Sequence, residues 1–385
     1  MAAANKYVIG LTGNIATGKS VIRKMLEHLG AYGIDADALT HRAMAQGAPA
    51  YQPVIDEFGK FVVGKDGEID RAKLGKLVFS DAEALSRLEA IVHPIVRQGI
   101  DHLIKNAGQS VVVVEAIKLL ESPLKDRVDS IWVTTSEESI QLFRLKDKRG
   151  MIAADAQARM ATQSSQADKI AQANVVIENN GDFDDTWRQV LAAWDALFPD
   201  VYSDEADDYA SAQSAEGAGE EIDIRNLDVG RAKPRQAEDI ANFINWASGS
   251  NLTRMDVMAA FGEKAYMLLT AQEWLVGLVG WQVENLVAII DEIWLWQELD
   301  TEAALKLLVE KVEEASRELQ AEAALVVIEP SMTGYESVWQ AVGFELRTPE
   351  GLQVNAWQEA ANKILKPGQA LYFKQLRIDR VLRPM

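Results

Sequence analysis

The chain has 385 residues, of which 48% are hydrophobic and 25% charged, and it contains no cysteine. This composition is typical of a folded protein of about two domains, and it excludes a collagen-like or disordered chain, a disulfide scaffold and a cysteine nucleophile. The net charge of −19 argues against nucleic acid and anionic membranes as partners, because both attract basic surfaces. No apolar run is long enough to span a membrane and no signal peptide is visible, so we expect a cytoplasmic protein.

The acidic charge is unevenly distributed. Residues 1–199 are nearly balanced, with 23 basic and 26 acidic side chains, whereas residues 200–221 carry eight acids and no base. This middle segment has hardly any large apolar residue to offset its ordering entropy, which predicts a flexible linker; a surface loop within one domain is the alternative. We therefore predict one domain over residues 1–199 and a second over residues 222–385.

The first half alternates strand-like and helix-like segments. The predicted strands are residues 7–12, 32–35, 111–115, 131–134 and 175–178. Nearly continuous apolar strands separated by helices are typical of a parallel sheet covered on both faces. The predicted fold class of this half is α/β.

A phosphate-binding motif lies between the first strand and the first helix. The segment matches GxxxxGK[ST] and consists of Gly13, Asn14, Ile15, Ala16, Thr17, Gly18, Lys19 and Ser20. The glycines let backbone N–H groups surround a phosphate, and the helix N-terminus adds its positive end. Lys19 can reach the β- and γ-phosphates, and the Ser20 hydroxyl can ligate Mg²⁺. We expect ATP and Mg²⁺ as cofactors.

Three acids follow predicted strands. Asp35 and Asp37 end the second strand, where parallel sheets present residues to the ligand crevice. Asp35 can accept a proton from an attacking hydroxyl or help to hold Mg²⁺, whereas Asp37 is the better candidate for a helix N-cap. Glu115 follows a run of four valines. It is either an acid that faces a metal ion or a strand-end acid without a role in the site.

A basic stretch follows the fourth predicted strand. It contains Arg144, Lys146, Lys148, Arg149, Arg159 and Lys169. A basic pair of helices near a nucleotide site suggests a lid that closes on phosphates and excludes water. A solvated helix face is the alternative, and it fits the lysines better than the arginines.

Over residues 6–198 the ordered motifs resemble the dephospho-coenzyme A kinase family. The matching segments are GLTGNIATGKS from Gly10, IDAD from Ile34, GAPA from Gly47, His93-Pro94, Arg144 with Arg149, Arg159, Gln163, and VVIENNG from Val175. Two departures are Ile117-Lys118 in place of a Pro-Leu pair, which alters the substrate pocket, and Asn174 in place of Asp before the last strand.

The resemblance implies a P-loop NTPase-type sheet with a helical substrate insert and a lid. It also implies transfer of the ATP γ-phosphoryl group to the ribose 3′-hydroxyl of dephospho-CoA, with Asp35, Lys19, Arg144 and Arg149 as catalytic residues. Substrate contacts would come from Asp35, Asp37, His93, Glu115, Arg159 and Gln163, and His93 before Pro94 also fits a structural role. The sequence does not indicate an oligomeric state.

The second half holds seven of the ten tryptophans and no histidine. Its predicted order is strand 222–226, helices 236–247 and 255–261, strands 265–270, 274–283 and 287–295, helix 301–320, strand 324–328 and helix 335–342. This order resembles the GCN5-related acetyltransferase fold, a second α/β domain with a mixed sheet. The family's pyrophosphate loop would fall at residues 297–302, where acids replace its glycines, so we expect a domain without catalytic activity.

Three alternatives remain at this point. The N-terminal half could be another P-loop kinase of nucleosides or nucleotides, or a nucleotide-dependent switch or scaffold. The C-terminal half could be an active N-acetyltransferase.

Overall fold

A computed structural model describes residues 6–148, 150–199, 213–214, 227–272, 274–328 and 336–377. Across these ranges no helix is both long enough and apolar enough to cross a membrane.

The N-terminal sheet is parallel throughout, as the apolar segments predict. Its strands are β1 (Tyr7–Gly13), β2 (Tyr32–Asp35), β3 (Val111–Glu115), β4 (Ser130–Thr135) and β5 (Val175–Glu178). Their order across the sheet is β2-β3-β1-β4-β5. The carboxyl ends of β1, β2 and β3 therefore meet at one edge, where a ligand crevice is expected.

Helices cover both faces of this sheet. They are α1 (Lys19–His28), α2 (Ala36–Ala43), α3 (Tyr51–Phe58), α4 (Arg71–Ser80), α5 (Ala82–Asn106), α6 (Glu138–Phe143), α7 (Ala153–Ala161), α8 (Gln166–Ile170) and α9 (Phe183–Leu197). Helices α1 and α9 bury Met25, Leu26 and Trp194 against one face. Helices α2 to α5 form an insert between β2 and β3, and α6 to α8 form the predicted lid.

The C-terminal sheet is mixed, so the predicted fold class is confirmed in both halves. Its strands are β6 (Gln213–Ser214), β7 (Leu227–Arg231), β8 (Ala265–Ala271), β9 (Trp274–Glu284), β10 (Val287–Leu295), β11 (Ala323–Ile328), β12 (Glu345–Arg347) and β13 (Ala370–Gln375). The order is β12-β13-β11-β10-β9-β8-β7, with β6 against β9. Strands β10 and β11 are parallel, and the other neighbours on that path are antiparallel.

Two predictions fall wholly or mostly outside the described residues. The predicted strand 222–226 lies outside the described residues, and β7 begins directly after it. Most of the predicted linker 200–221 is also outside them, but β6 lies within it and pairs with Trp274 and Leu275 of β9.

The C-terminal helices are α10 (Ala237–Ser248), α11 (Arg254–Phe261), α12 (Thr301–Glu318), α13 (Glu336–Ala341) and α14 (Asn355–Ile364). The sequence pattern did not predict α14 or β13. Trp281, Trp339 and Trp357 are at most 3% exposed, so these tryptophans belong to the core rather than to a partner surface.

Candidate active site

The phosphate loop joins β1 to α1 without a side-chain cap. Gly18, the N-cap residue of α1, has a φ of 96° and provides no side-chain cap for the first turn of the helix. Ala16 also lies in the left-handed region, with a φ of 61°. The N–H groups at this end of α1 are thus not held by a side-chain cap, which suits a phosphate group.

Thr134 of β4 and Asn179 after β5 hold this loop in place, and neither was predicted as a site residue. Asn179, directly after β5, donates through Nδ2 to the carbonyl of Thr17 at 2.9 Å. The Thr17 hydroxyl lies 2.6 Å from that of Thr134 at the end of β4. A Cβ atom at Gly18 would lie 1.9 Å from Nδ2 of Asn179, so only glycine fits there. Two signals in the sequence pointed to Asn179, its position after a predicted strand and its place in the VVIENNG segment.

Lys19 is 7% exposed and donates to the carbonyls of Gly13 at 3.1 Å and Asn14 at 3.2 Å. Its ammonium group therefore folds back across the loop and lies at the point where phosphate groups are expected.

Ser20, Asp35 and Glu115 come together beside the loop. Asp35 and Glu115 are register partners at the ends of β2 and β3. The Ser20 hydroxyl donates to Oε1 of Glu115 at 2.9 Å, and Arg23 donates through Nε to Oε2 at the same distance. Glu115 is thus the strand-end acid of the site. Arg23 was missed by the sequence analysis, although it lies one turn after Ser20 on the same helix face.

Burial raises the pKa of Asp35, and the negative charge of Glu115 raises it further. Burial is also the main cause of a raised pKa at Asp37. A carboxylate with a raised pKa is a stronger base than one in water, so the cluster has the chemistry needed to accept a proton.

The expectation for the helix cap was wrong. Asp35, not Asp37, is the N-cap of α2, since its Oδ1 accepts from the backbone N–H of Ala38 at 2.8 Å. An N-cap residue typically has extended backbone angles, and Asp35, with φ −97° and ψ 103°, still belongs to β2. Asp37 lies in the first turn of α2 instead, and its Oδ2 accepts from the backbone N–H of Ile117 at 3.3 Å.

The segment that departs from the family pattern is firmly held. The Ile117 carbonyl accepts from the Thr12 hydroxyl at 3.1 Å and from the buried Nζ of Lys169 at 3.0 Å. Lys118 is exposed and reaches Glu89 on α5 at 3.0 Å. The substitution thus leaves the backbone beside Asp37 anchored.

The lid contacts the phosphate loop through Arg144, Gln163 and Ser164, whose carbonyl accepts from Nδ2 of Asn14 at 3.3 Å. Arg144 begins a π-helical turn, Arg144–Lys148, and donates to the carbonyls of Ala16 at 3.2 Å and Asn179 at 2.9 Å. Gln163 accepts from the backbone N–H of Ile15 at 2.7 Å.

The other predicted lid and acceptor residues lie apart from these contacts. Arg159 is exposed on α7, and His93 is exposed on α5 before Pro94. Among the described residues, neither side chain forms a hydrogen bond with the carboxylates of Asp35, Asp37 or Glu115. Arg149 lies outside the described residues.

Helix α12 begins within residues 297–302, where the sequence led us to expect a pyrophosphate loop without its glycines, and the Asp300 side chain caps it. Oδ1 of Asp300 accepts from the N–H groups of Glu302 at 3.1 Å and Ala303 at 3.2 Å. The Asp300 carboxylate therefore occupies two of the N–H groups at this end of α12.

A phosphate loop between the first strand and first helix of a parallel sheet, with carboxylates at adjacent strand ends, defines a P-loop phosphotransferase. Residues 7–185 match the family model described as dephospho-CoA kinase. The dephospho-CoA kinase of Geobacter sulfurreducens is 38% identical over 195 residues, which cover 50% of this chain and 99% of that protein. That of Carboxydothermus hydrogenoformans is 42% identical over 187 residues, covering 48% and 91%.

The chain therefore belongs to the dephospho-CoA kinase family, whose members use ATP to phosphorylate dephospho-CoA in the last step of coenzyme A biosynthesis. A solved acetyltransferase of the GNAT family from Staphylococcus aureus is also similar; it is 12% identical with a TM-score of 0.32 and covers 40% of this chain and 100% of that one.

Proposed function

We propose that residues 1–199 form the kinase domain and that Asp35 is the general base for the ribose 3′-hydroxyl of dephospho-CoA. The observation that carries this is the pairing of Asp35 with Glu115 beside Ser20 and the loop. Oδ1 of Asp35 caps α2, which fixes the carboxylate, and the second oxygen is left to receive the hydroxyl proton. The raised pKa of Asp35 suits this role, because the carboxylate then competes more effectively for that proton.

We assign the ATP phosphates to the backbone N–H groups of residues 13–20 and to Lys19. In-line transfer needs little covalent help from the protein, so positioning and charge neutralisation supply most of the rate. On binding, the Lys19 ammonium exchanges the carbonyls of Gly13 and Asn14 for phosphate oxygens.

The residues present fit Mg²⁺, which binds hard oxygen donors and usually keeps water and substrate phosphates among its ligands. The Ser20 hydroxyl would ligate it, with Asp35 or Glu115 nearby. Among the described residues no cluster of three or more acids or histidines could hold a metal by itself, so the ion would be shared with ATP. Bound Mg²⁺ would neutralise charge on the β- and γ-phosphates.

The lid residues have separate proposed roles. Arg144 holds the loop through Ala16 and places a positive charge beside it, and Gln163 anchors the end of the lid to Ile15. Arg149 and Arg159 are assigned to the transferred phosphoryl group and the substrate in the closed state. The insert of α2 to α5, including His93, is assigned to dephospho-CoA. The site of reaction is the cytoplasm, where ATP and dephospho-CoA are available.

The C-terminal domain, residues 222–385 after a linker at 200–221, is proposed to be non-catalytic. The support is the occupied N-terminus of α12, where Asp300 takes the N–H groups that a pyrophosphate needs. An acetyl-CoA titration of the whole chain tests this, since binding that is lost on substitution within residues 297–302 would contradict it.

The test of the base is Asp35→Asn, assayed with ATP, Mg²⁺ and dephospho-CoA. Asn retains the helix cap but cannot accept the proton, so kcat should fall roughly 10² to 10⁴-fold while ATP still binds. Asp300→Asn is the matched control, because Asp300 caps α12 in the same way at an exposed position outside the kinase domain and should tolerate the change. Undiminished turnover in Asp35→Asn would remove Asp35 from the mechanism.

A further inference from the structure

The β9–β10 hairpin of the C-terminal domain reaches into the kinase domain. Its two turn residues, Asn285 and Leu286, have φ angles of 52° and 63°. A two-residue turn with both φ angles positive favours Asn-Gly, and leucine is strained at its second position. Leu286 is nevertheless 8% exposed and belongs to the same apolar cluster as Ile34, Leu39 and Leu103 of the kinase domain. Insertion of the Leu286 side chain into this apolar cluster of the kinase domain thus offsets the backbone strain.

A buried ion pair fixes this hairpin to α2. Arg42, in the last turn of α2, donates to the carbonyl of Asn285 and, through Nη2, to Oε2 of Glu322 at 2.6 Å. The Glu322 side chain is 0% exposed and that of Arg42 is 7% exposed. The backbone N–H of Glu322 donates to the carbonyl of Leu286 at 2.7 Å, so the turn and Glu322 form one unit. Loss of one partner would leave the other charge buried.

Helix α2 has only eight residues, and Asp35 is its N-cap. The proposed base and the contact with the C-terminal domain therefore lie at the two ends of one short helix, roughly 10 Å apart along its axis. We propose that Arg42 and Glu322 are positioning residues of the kinase reaction, through which the C-terminal domain fixes α2 and the carboxylate of Asp35. This inference rests on the role proposed for Asp35.

A second set of contacts leads from the same hairpin to the other carboxylate. Lys24 donates to the carbonyl of Val283 at 3.4 Å and to Glu27 at 2.9 Å. Glu27 pairs with Arg23, which in turn holds Glu115. Both strand-end acids are thus connected to the end of the β9–β10 hairpin.

A crevice of about 460 Å³ lies between the two domains at this place. Ser20 and Asp35 line one side, and residues 282–286 with Lys363 line the other. The hairpin therefore forms a wall beside the carboxylates as well as holding α2.

The test is Glu322→Gln in the full chain, with rates normalised to the folded fraction. Glutamine preserves the side-chain volume but removes the charge that holds Arg42. We expect kcat with dephospho-CoA to fall at least fivefold, the acid limb of the pH–kcat profile to shift, and KM for ATP to stay within twofold. A merely structural role would lower the melting temperature and leave kcat and its pH profile unchanged.

Arg254→Gln is the matched control. It breaks another interdomain ion pair, Arg254 with Asp184 at 2.8 Å, which does not involve α2. We expect wild-type kcat and an unchanged pH profile in this variant.

If Glu322→Gln does not fold, Leu286→Gly tests the positioning role instead. Glycine suits the left-handed turn, and the substitution removes only the inserted side chain. We expect the same fall in kcat. Wild-type kcat in folded Glu322→Gln and Leu286→Gly would overturn the positioning role. If Asp35→Asn still lowers kcat as expected, the base assignment remains intact. Full activity in Asp35→Asn would instead remove the base assignment itself.

Discussion

The two halves of this chain each contain a helix that follows a strand and a short loop, and the N-termini of these helices have opposite chemistry. Gly18 precedes α1 and leaves its first turn without a side-chain cap, whereas the carboxylate of Asp300 occupies two N–H groups of α12. Asn179 holds the phosphate loop through a hydrogen bond to the carbonyl of Thr17, so the loop keeps its shape without an N-cap side chain. A phosphate site thus requires backbone N–H groups that the fold holds in place but that no side chain of the protein occupies.

Among the substitutions that test this difference between the two helix ends, Gly18→Ala should have the largest effect on kinase activity. The new Cβ would need the left-handed φ of 96° and would lie 1.9 Å from Nδ2 of Asn179. We expect kcat/KM for ATP to fall more than about 100-fold, a loss of roughly 3 kcal/mol in transition-state binding. Steady-state kinetics and ATP titration measure it.

Gly30→Ala is its control, because Gly30 has the same φ of 96° at the other end of α1 with no atom within 4 Å of the new Cβ. It should cost about 1 kcal/mol in stability and leave kinetics unchanged. Equal kinetic losses in both variants would show that backbone strain, not loop shape, sets the effect.

Glu115→Gln should have the next largest effect. It weakens the hold on Ser20 and Arg23, so we expect kcat to fall about 10- to 100-fold and the Mg²⁺ requirement to rise. Because the charge of Glu115 raises the pKa of Asp35, its removal should move the acid limb of the pH–kcat profile to lower pH. If the acid limb does not move in Glu115→Gln, the charge of Glu115 does not control the titration of Asp35.

Acid should weaken the contact between the two halves through His28. Burial lowers the pKa of His28 to about 3, and its Nε2–H donates to the carbonyl of Phe261 at 2.7 Å. The unfolded chain binds a proton below the ordinary pKa near 6.5 while the folded chain does not, so stability is lost as pH falls from about 6.5 towards 3.

At pH 5 this loss should be on the order of 1 to 2 kcal/mol, since the ring is partly accessible. Denaturant unfolding of the wild type and His28→Gln at pH 7 and pH 5 measures it. An equal fall in both proteins would exclude His28 as the source.

Asp300→Ala should have the smallest effect. Loss of the cap should cost about 1 kcal/mol in stability, with kinase kinetics unchanged. Asp300→Asn retains a capping oxygen and should be close to wild type in denaturant unfolding. A change in kinase activity in either variant would contradict the independence of this helix end from the kinase site.

Much of the kinase site could be predicted from the sequence because its chemistry is local. The phosphate loop, the strand-end acids Asp35 and Glu115, and all five strands follow from short patterns along the chain. Arg23 and Asn179 were missed because their roles depend on partners 92 and 162 residues away. The cap was assigned to Asp37 because a pattern cannot fix where β2 ends and α2 begins to within two residues.

The sequence by itself determined two α/β halves, a phosphate-binding loop and the acids at the ends of β2 and β3. Only the tertiary structure decided that α2 is held at one end by Asp35 and at the other by Glu322, 280 residues away from Arg42. The physical reason is that helices, strands and phosphate loops depend on residues close in sequence. A buried ion pair between domains depends on how two separately patterned surfaces meet.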